Sequence, residues 1–361
     1  CRRFGIHPDT AYKWIGRWTA GEMDMADRSR RPHNSPARTT AAVETQVLKL
    51  RDEHPVWGAR KIVRCLTRAG TVSPAFSTVH QILRRNDRII PPPGGAAAQQ
   101  RFEKAAPNLL WQMDFKGWFK LGNGARCHPL TVLDDHSRYA LCIAACADEQ
   151  GRTVQSRLEP VFRRYGLPDA FFVDNGGPWG DSSGHRWTRF GVWLLKLGID
   201  VLHSRPYHPQ SRGKNERFHR TLKAEVLAFK HLSDLPAAQT AFDRWRAVYN
   251  LERPHEAIEQ DVPASRYRVS TRAMPDRLPP VDYDDHEIVR TVPASKDYIR
   301  FKGRLWKVPQ AFRCERVAIR PLTADGCYGI FFGAHQIASI DLTKPECVGD
   351  VSEQVSAMSS D

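Results

Sequence analysis

Residues 207–225 read YHPQSRGKNERFHRTLKAE and change character partway along. Through Gly213 the stretch holds Pro209 and Ser211 and reads as a loop. From Lys214 on, Phe218, Leu222 and Val226 recur at every fourth position, which predicts a helix with one apolar stripe. Residues three, four and seven apart share a helix face, so Glu216, His219 or Arg220, and Lys223 fall in one row. The stripe demands a core on one side of this helix, and the row demands polar surroundings on another. A solvated helix with ordinary ion pairs satisfies the row equally well.

Two segments upstream change the balance. Residues 111–117 read WQMDFKG and residues 171–179 read FFVDNGGPW. Each places one acid, Asp114 or Asp174, at the end of an apolar or aromatic run that reads as a buried strand. An acid there is costly unless it is paired or bound to metal. Two strand-tip acids and one helix acid suit a hard cation, since Mg²⁺ takes a few carboxylates and keeps several waters. Asp134 and Asp135 are rival acids, but with His136 and Ser137 behind them they read as a hairpin turn.

The order Asp114, Asp174, Glu216, with Lys223 seven residues beyond, resembles the DDE signature of insertion-sequence transposases with a retroviral-integrase-type catalytic core. WQMDFKG, LDDHSRYAL, VDNGGPW and YHPQSRGKNERFHRTLK are all similar to that family's segments, in its order. The resemblance covers most of residues 1–345. One departure is a gap between Asp174 and Glu216 longer than the family's usual one. The polar, Gly-containing residues 180–188 are the expected place for the insertion, where added length extends a loop without moving either acid. The His-His-Cys-Cys zinc module of retroviral integrases has no counterpart here, so the likeness to them is confined to the catalytic domain.

Composition agrees with a polyanion partner. Lys and Arg number 54 against 40 Asp and Glu, a net charge of +14, and the pI is near 9.6. No apolar run approaches the roughly 20 residues that span a bilayer, and no signal peptide is visible. A membrane is therefore not expected as a partner. The eight cysteines are scattered, and none forms a C-x-x-C pair, which argues for a reducing compartment and against zinc. Cys142 and Cys146 sit in an apolar run and read as core. The chain opens on Cys1, which reads as a truncated N-terminus.

The expected fold class is α/β. A ribonuclease-H-like mixed sheet is preceded by all-α helix-turn-helix units and followed by a small β-barrel. Residues 1–36 hold a truncated helix-turn-helix, capped near Asp9, and a basic linker. Ala11, Trp14, Ile15 and Trp18 form its apolar side, and Lys13 and Arg17 are its candidate DNA contacts. Residues 37–87 read as a second helix-turn-helix or winged unit, and 88–106 as a Pro- and Gly-rich linker. The catalytic core spans 107–250 with its C-terminal helix. A linker over 251–284, a basic barrel over 285–345 and a disordered tail over 346–361 complete the chain.

The resemblance implies a DNA transposase. It assigns Asp114, Asp174 and Glu216 as catalytic residues and ligands of Mg²⁺ or Mn²⁺, two ions per site, with Asp114 shared. Two such ions can hold the attacking and leaving oxygens of an in-line displacement at phosphorus. Water cuts the element end, and the resulting 3′-OH attacks target DNA with no covalent enzyme intermediate. Tyr207, His208, Gln210, Lys214, Asn215, Arg220, Lys223 and Asn175 are the expected DNA contacts in the core. Double-stranded DNA, at element ends and target, is the expected partner of a homodimer or larger assembly. A bacterial cytoplasmic, nucleoid-associated location follows from the same resemblance. A non-catalytic, sequence-specific DNA-binding regulator derived from a transposase, or a metal-dependent nuclease without joining activity, would also explain the charge.

Overall fold

The computed structural model describes residues 1–22, 26–27, 39–89, 103–180, 187–203, 213–228 and 231–344. The proline-rich stretch 91–98 and the tail 346–361 lie outside them. The chain divides into two compact units, Cys1–Gln46 and Val47–Asp361.

In the first unit a short 3-10 turn, Arg2–Phe4, precedes α1, Pro8–Thr19. The cap is His7 rather than Asp9: its Nδ1 accepts from the Asp9 amide, and Pro8 fills the first helical position, where no N–H is needed. The expected apolar side of α1 is not buried, for Ile15 and Trp18 are exposed.

The second unit opens within α2 (Ala41–Glu53) and continues into α3 (Ala59–Arg68) and α4 (Phe76–Arg85). Val47, Trp57, Ile62, Leu66, Val79, Ile82 and Leu83 form their shared core, and Val248 packs against it. The buried Arg51 guanidinium donates to the carbonyls of Trp57 and Arg88, tying the trio's turn to its exit. The trio is helical throughout, with no strand to form a wing among the described residues.

The central sheet is mixed, as expected. β1 (Trp111–Phe115) lies between antiparallel β3 (Arg126–Asp134) and parallel β5 (Ala170–Val173). The short β2 (Phe119–Lys120) and β4 (Ala140–Cys146) both pair with β3, and β6 (Asp200–His203) runs parallel to β5. Helices cover both faces. One core combines Trp111, Met113 and Phe171 with residues of α5 (Gly151–Tyr165) and α6 (Arg189–Lys196). The other combines Leu133 and Ile143 with α7 (Gly213–Leu222), the π-helical turn Lys223–Leu227 and α8 (Leu235–Leu251). Covered on both faces, β4 is buried along its whole length. Cys142 and Cys146 are core, as read, and burial pushes the Cys142 thiol up to about 12. Side-chain amides of Gln239 and Asn250 on α8 bond the β4 backbone at Ile143, Ala145 and Ala140, satisfying groups that strand pairing leaves open.

Residues 251–284 contain α9 (Pro263–Arg266) and lie against the core. Arg272 donates to the carbonyls of Pro168, Leu197 and Gly198, and its own carbonyl accepts from Leu167. Gly166 sits where a Cβ would come within 2.8 Å of the Arg272 and Ser270 carbonyls, and its φ of +74° already favours glycine.

The β-rich end is an open arrangement and not the closed barrel expected. β7 (Ile288–Thr291), β10 (Arg316–Pro321), β11 (Cys327–Phe332) and β12 (His335–Asp341) form one antiparallel sheet, while β8 (Tyr298–Phe301) and β9 (Arg304–Lys307) form a separate hairpin. Val192 of α6 joins its core, and Lys196 pairs with Glu315 at 2.6 Å. No described helix is long and apolar enough to cross a membrane.

Candidate active site

Alternation along β1 decides where its acid points. Trp111 and Met113, with Phe115 against them, enter the core under α5 and α6. Gln112 and Asp114 therefore project to the opposite face, where α7 lies. β5 repeats the pattern: Phe171 and Val173 enter the same core, which sends Asp174 to the face of Asp114. In the parallel β1–β5 pair Trp111 opposes Phe171 and Gln112 opposes Phe172. The same offset carried forward sets Asp114 level with Asp174. The loop after β5 is fastened to β1 by Trp179, which stacks on Phe115 with centroids 5.9 Å apart and meets Phe190 edge-on. Within that loop Asp174 Oδ1 accepts from the Gly176 amide at 3.1 Å, and the Asp174 carbonyl meets His203 Nδ1 at 3.0 Å.

The α7 stripe is as predicted: Phe218, Leu222 and Val226 are buried. Two contacts fix the helix against the sheet. Near its start, Lys214 Nζ pairs with the wholly buried Asp135 carboxylate, which also accepts from Gln112 Nε2 and the Lys104 amide. One and a half turns on, His219 Nε2 lies 2.8 Å from Thr131 Oγ1, and that hydroxyl donates to the Asp114 carbonyl. Thr131 is the residue opposite Asp114 in the β1–β3 ladder. Because the single hydroxyl proton goes to Asp114, Nε2 must carry the imidazole proton and donate. Burial, with Lys116 adding its charge, pushes the His219 pKa down to about 4, so the ring is neutral at ordinary pH.

Glu216 is exposed on the same flank of α7 as His219 and Lys223. Asp114 and Asp174 are half-buried. Among the described residues no three His, Cys, Asp or Glu side chains lie close enough together to hold a metal ion. Alternation and register thus send the two aspartates to one sheet face and lay the glutamate's helix alongside, with no three-ligand cluster including Glu216 among the described residues. The donors themselves are hard carboxylate oxygens, the set that suits Mg²⁺ or Mn²⁺.

Several expected DNA contacts have other places. Lys214 serves the buried Asp135, and burial lowers its pKa. Asn215 is buried, and its Oδ1 has no hydrogen-bond partner among the described residues. Arg17 of α1 is buried as well, bonding Glu22 and the Ala26 carbonyl beside the Trp14 ring. Lys13, Asn175, Arg220 and Lys223 are exposed. Tyr207, His208 and Gln210 lie outside the described residues, as do residues 181–186 of the expected insertion. Asp134 does hold the turn, with Ser137 and Asn108 donating to its carboxylate, whose pKa burial nonetheless raises, while the Asp135 carboxylate serves Lys214, Gln112 and Lys104 instead. The supporting pair His219 and Thr131 was missed. Its signal, a His three residues past the helix acid, was indistinguishable from the Arg beside it.

Comparison with known proteins agrees with the order of these parts. Two integrase core domain models match residues 104–209 and 197–263. A homeodomain-like domain matches 10–83, and the C-terminal domain of IS481 family transposases matches 287–347. The chain is 26% identical over 234 residues to an uncharacterized 39.2 kDa protein of insertion element IS476 from Xanthomonas euvesicatoria, covering 63% of this chain and 65% of that protein. It is 29% identical over 171 residues to an uncharacterized 31.7 kDa protein of insertion element IS407 from Burkholderia multivorans, covering 47% of this chain and 59% of that protein. The chain therefore spans less than two thirds of either relative's length. Among solved structures, the HTLV-2 integrase catalytic core domain in complex with magnesium aligns with 45% of this chain and 99% of its own, at 16% identity and a TM-score of 0.34. The resemblance to insertion-sequence transposases drawn from the motifs is borne out at the level of these domain matches and relatives.

Proposed function

We propose that this chain, which carries the integrase core and the IS481-type transposase C-terminal domain, is a DDE transposase that cleaves DNA at element ends and joins them to target DNA. The observation that carries the reading is the parallel β1–β5 register, Gln112 opposite Phe172, which carried forward two residues brings Asp114 level with Asp174, with the helix that bears Glu216 bonded through His219 to Thr131 on the neighbouring strand.

Asp114 and Asp174 would hold divalent cation, with Glu216 supplying the third carboxylate. Bound there, the cations supply charge neutralisation at phosphorus and a lowered pKa for water. The chain's own residues do the positioning. β1 and β5 set the two aspartates in register, and Trp179 keeps the Asp174 loop against β1. The neutral His219 bonds through Thr131 to the strand that carries Asp114. No Ser or Tyr nucleophile is required, because water and then a DNA 3′-OH attack phosphorus directly. Exposed Asn175, Arg220 and Lys223 are the core residues offered to the DNA backbone. Two element ends joined in one event call for at least two copies of the chain.

The test is a duplex carrying the element's end, incubated with Mg²⁺ or with chelator, using wild type and Asp174→Asn. Metal-dependent nicks at a defined position, lost in the variant, support the reading. A DNA-binding regulator is the second reading, favoured by the position of Glu216 outside any three-ligand cluster among the described residues. It predicts end binding unaffected by chelator and no product from either protein.

A further inference from the structure

α7 and β1 run side by side with matched steps. Lys214 meets Asp135, which Gln112 also holds. Five residues on, His219 meets Thr131, the ladder partner of Asp114. Five helical residues rise about 7.5 Å, and the two-residue strand step from Gln112 to Asp114 rises about 6.7 Å. The next step on each element takes His219 to Lys223 and Asp114 to Lys116. The ladder continues that far, for the Lys116 amide donates to the Pro129 carbonyl at 3.0 Å, which keeps Lys116 on the face of Asp114. Lys116 and Lys223 therefore fall on matching steps of the strand and the helical stretch.

Neither ammonium group makes a hydrogen bond or ion pair with any described residue, and Lys116 is half-buried. Two cations on neighbouring steps, one partly out of water, are unfavourable unless an anion joins them. Lys223 also opens the π-helical turn, an irregularity that recurs at functional positions.

We propose that Lys116 and Lys223 together form a binding site for one backbone phosphodiester of the DNA strand, next to the reacting bond. The proposal rests on the transposase reading and adds Lys116 to it. Lys223 approaches from the helix and Lys116 from the strand, so the phosphate is gripped from two elements and its strand registered against Asp114. Both contacts are ion-paired hydrogen bonds to phosphate oxygen, and both disappear when that phosphate loses its charge.

The experiment uses the full chain and a set of element-end duplexes, each with one neutral methylphosphonate in place of a phosphate near the cleavage position. Mg²⁺-dependent cleavage and equilibrium binding are measured for wild type, Lys116→Gln and Lys116→Arg, with Tm for each protein. Wild type should lose about tenfold in cleavage at one methylphosphonate position. Lys116→Gln should lose about as much on unmodified DNA and be indifferent to the modification at that position. Lys116→Arg, which keeps the charge, should recover most of the loss. Equal sensitivity of wild type and Lys116→Gln at every position would overturn the proposal. So would a lowered Tm in Lys116→Gln with unchanged cleavage, which would mark Lys116 as structural. If wild type itself gives no metal-dependent product and matches Asp174→Asn, the transposase reading fails and takes this subsite with it. Product from wild type with no effect of Lys116→Gln sinks the subsite alone.

Discussion

His219 on α7 is hydrogen-bonded to Thr131 on β3, whose hydroxyl donates to the carbonyl of Asp114, so the helix bearing Glu216 is referenced to the strand bearing the first aspartate. The link joins positions 88 residues apart through one neutral ring and one hydroxyl. Replacing His219 by Ala leaves a buried hydroxyl without its donor and a cavity under α7. A loss of about 2–4 kcal/mol is expected by denaturant titration. Cleavage should fall more than DNA binding does, because Glu216 is displaced while the exposed cations stay.

The same ring gives the fold an acid sensitivity. Its pKa is about 4 when folded, against 6.5 for a free imidazole. Unfolded protein binds the proton first, so the stabilisation is complete above pH 6.5 and is lost as pH falls toward 4. The maximum loss from this group is about 3 kcal/mol. Denaturant midpoints between pH 7 and 4.5 should fall less steeply in His219→Gln than in wild type. Parallel slopes would mean that the ring is not held neutral by burial.

Lys214 and Lys223 should behave as different kinds of residue despite lying nine positions apart on one helical stretch. Lys214→Ala strands the buried Asp135 carboxylate and should cost about 3 kcal/mol. Lys223→Ala should leave Tm unchanged while weakening DNA binding and lowering its salt slope by about 1. Thermal melts and binding at several salt concentrations separate the two.

Trp179 is expected to control the Asp174 loop. Trp179→Ala removes the stack on Phe115 and the edge contact with Phe190. It should cost about 3–5 kcal/mol in the core. Trp179→Phe should retain most of the stability, so residual cleavage in that variant reports on loop placement alone.

Legibility in the sequence followed the range of the interactions. The stripe Phe218, Leu222, Val226 and the apolar runs before Asp114 and Asp174 are local patterns: the stripe is buried as read, and Trp111, Met113, Phe171 and Val173 of the runs are buried. Lys214 was misread because its partner is 79 residues away, and a lysine at the head of a polar row carries no mark of such a pair. Arg17 lies on a helix whose apolar spacing looked complete, yet its burial depends on Glu22 and Ala26 beyond the helix end. β12 falls inside the β-like stretch but carries no clean alternation, because the ladder shifts between Ile330 and Phe331 and leaves buried Ile337 and Ile340 three residues apart instead of two. The open sheet in place of a barrel depends on which edges pair, which strand content alone does not specify.

The central claim is that the helix-borne carboxylate acts together with the two strand aspartates. It is tested most directly by strand joining with a pre-cleaved element end and a target plasmid, in Mg²⁺, for wild type and Glu216→Gln. The account predicts joined product from wild type, none from Glu216→Gln, and end binding in both within about twofold. Joined product from Glu216→Gln at the wild-type rate would contradict it.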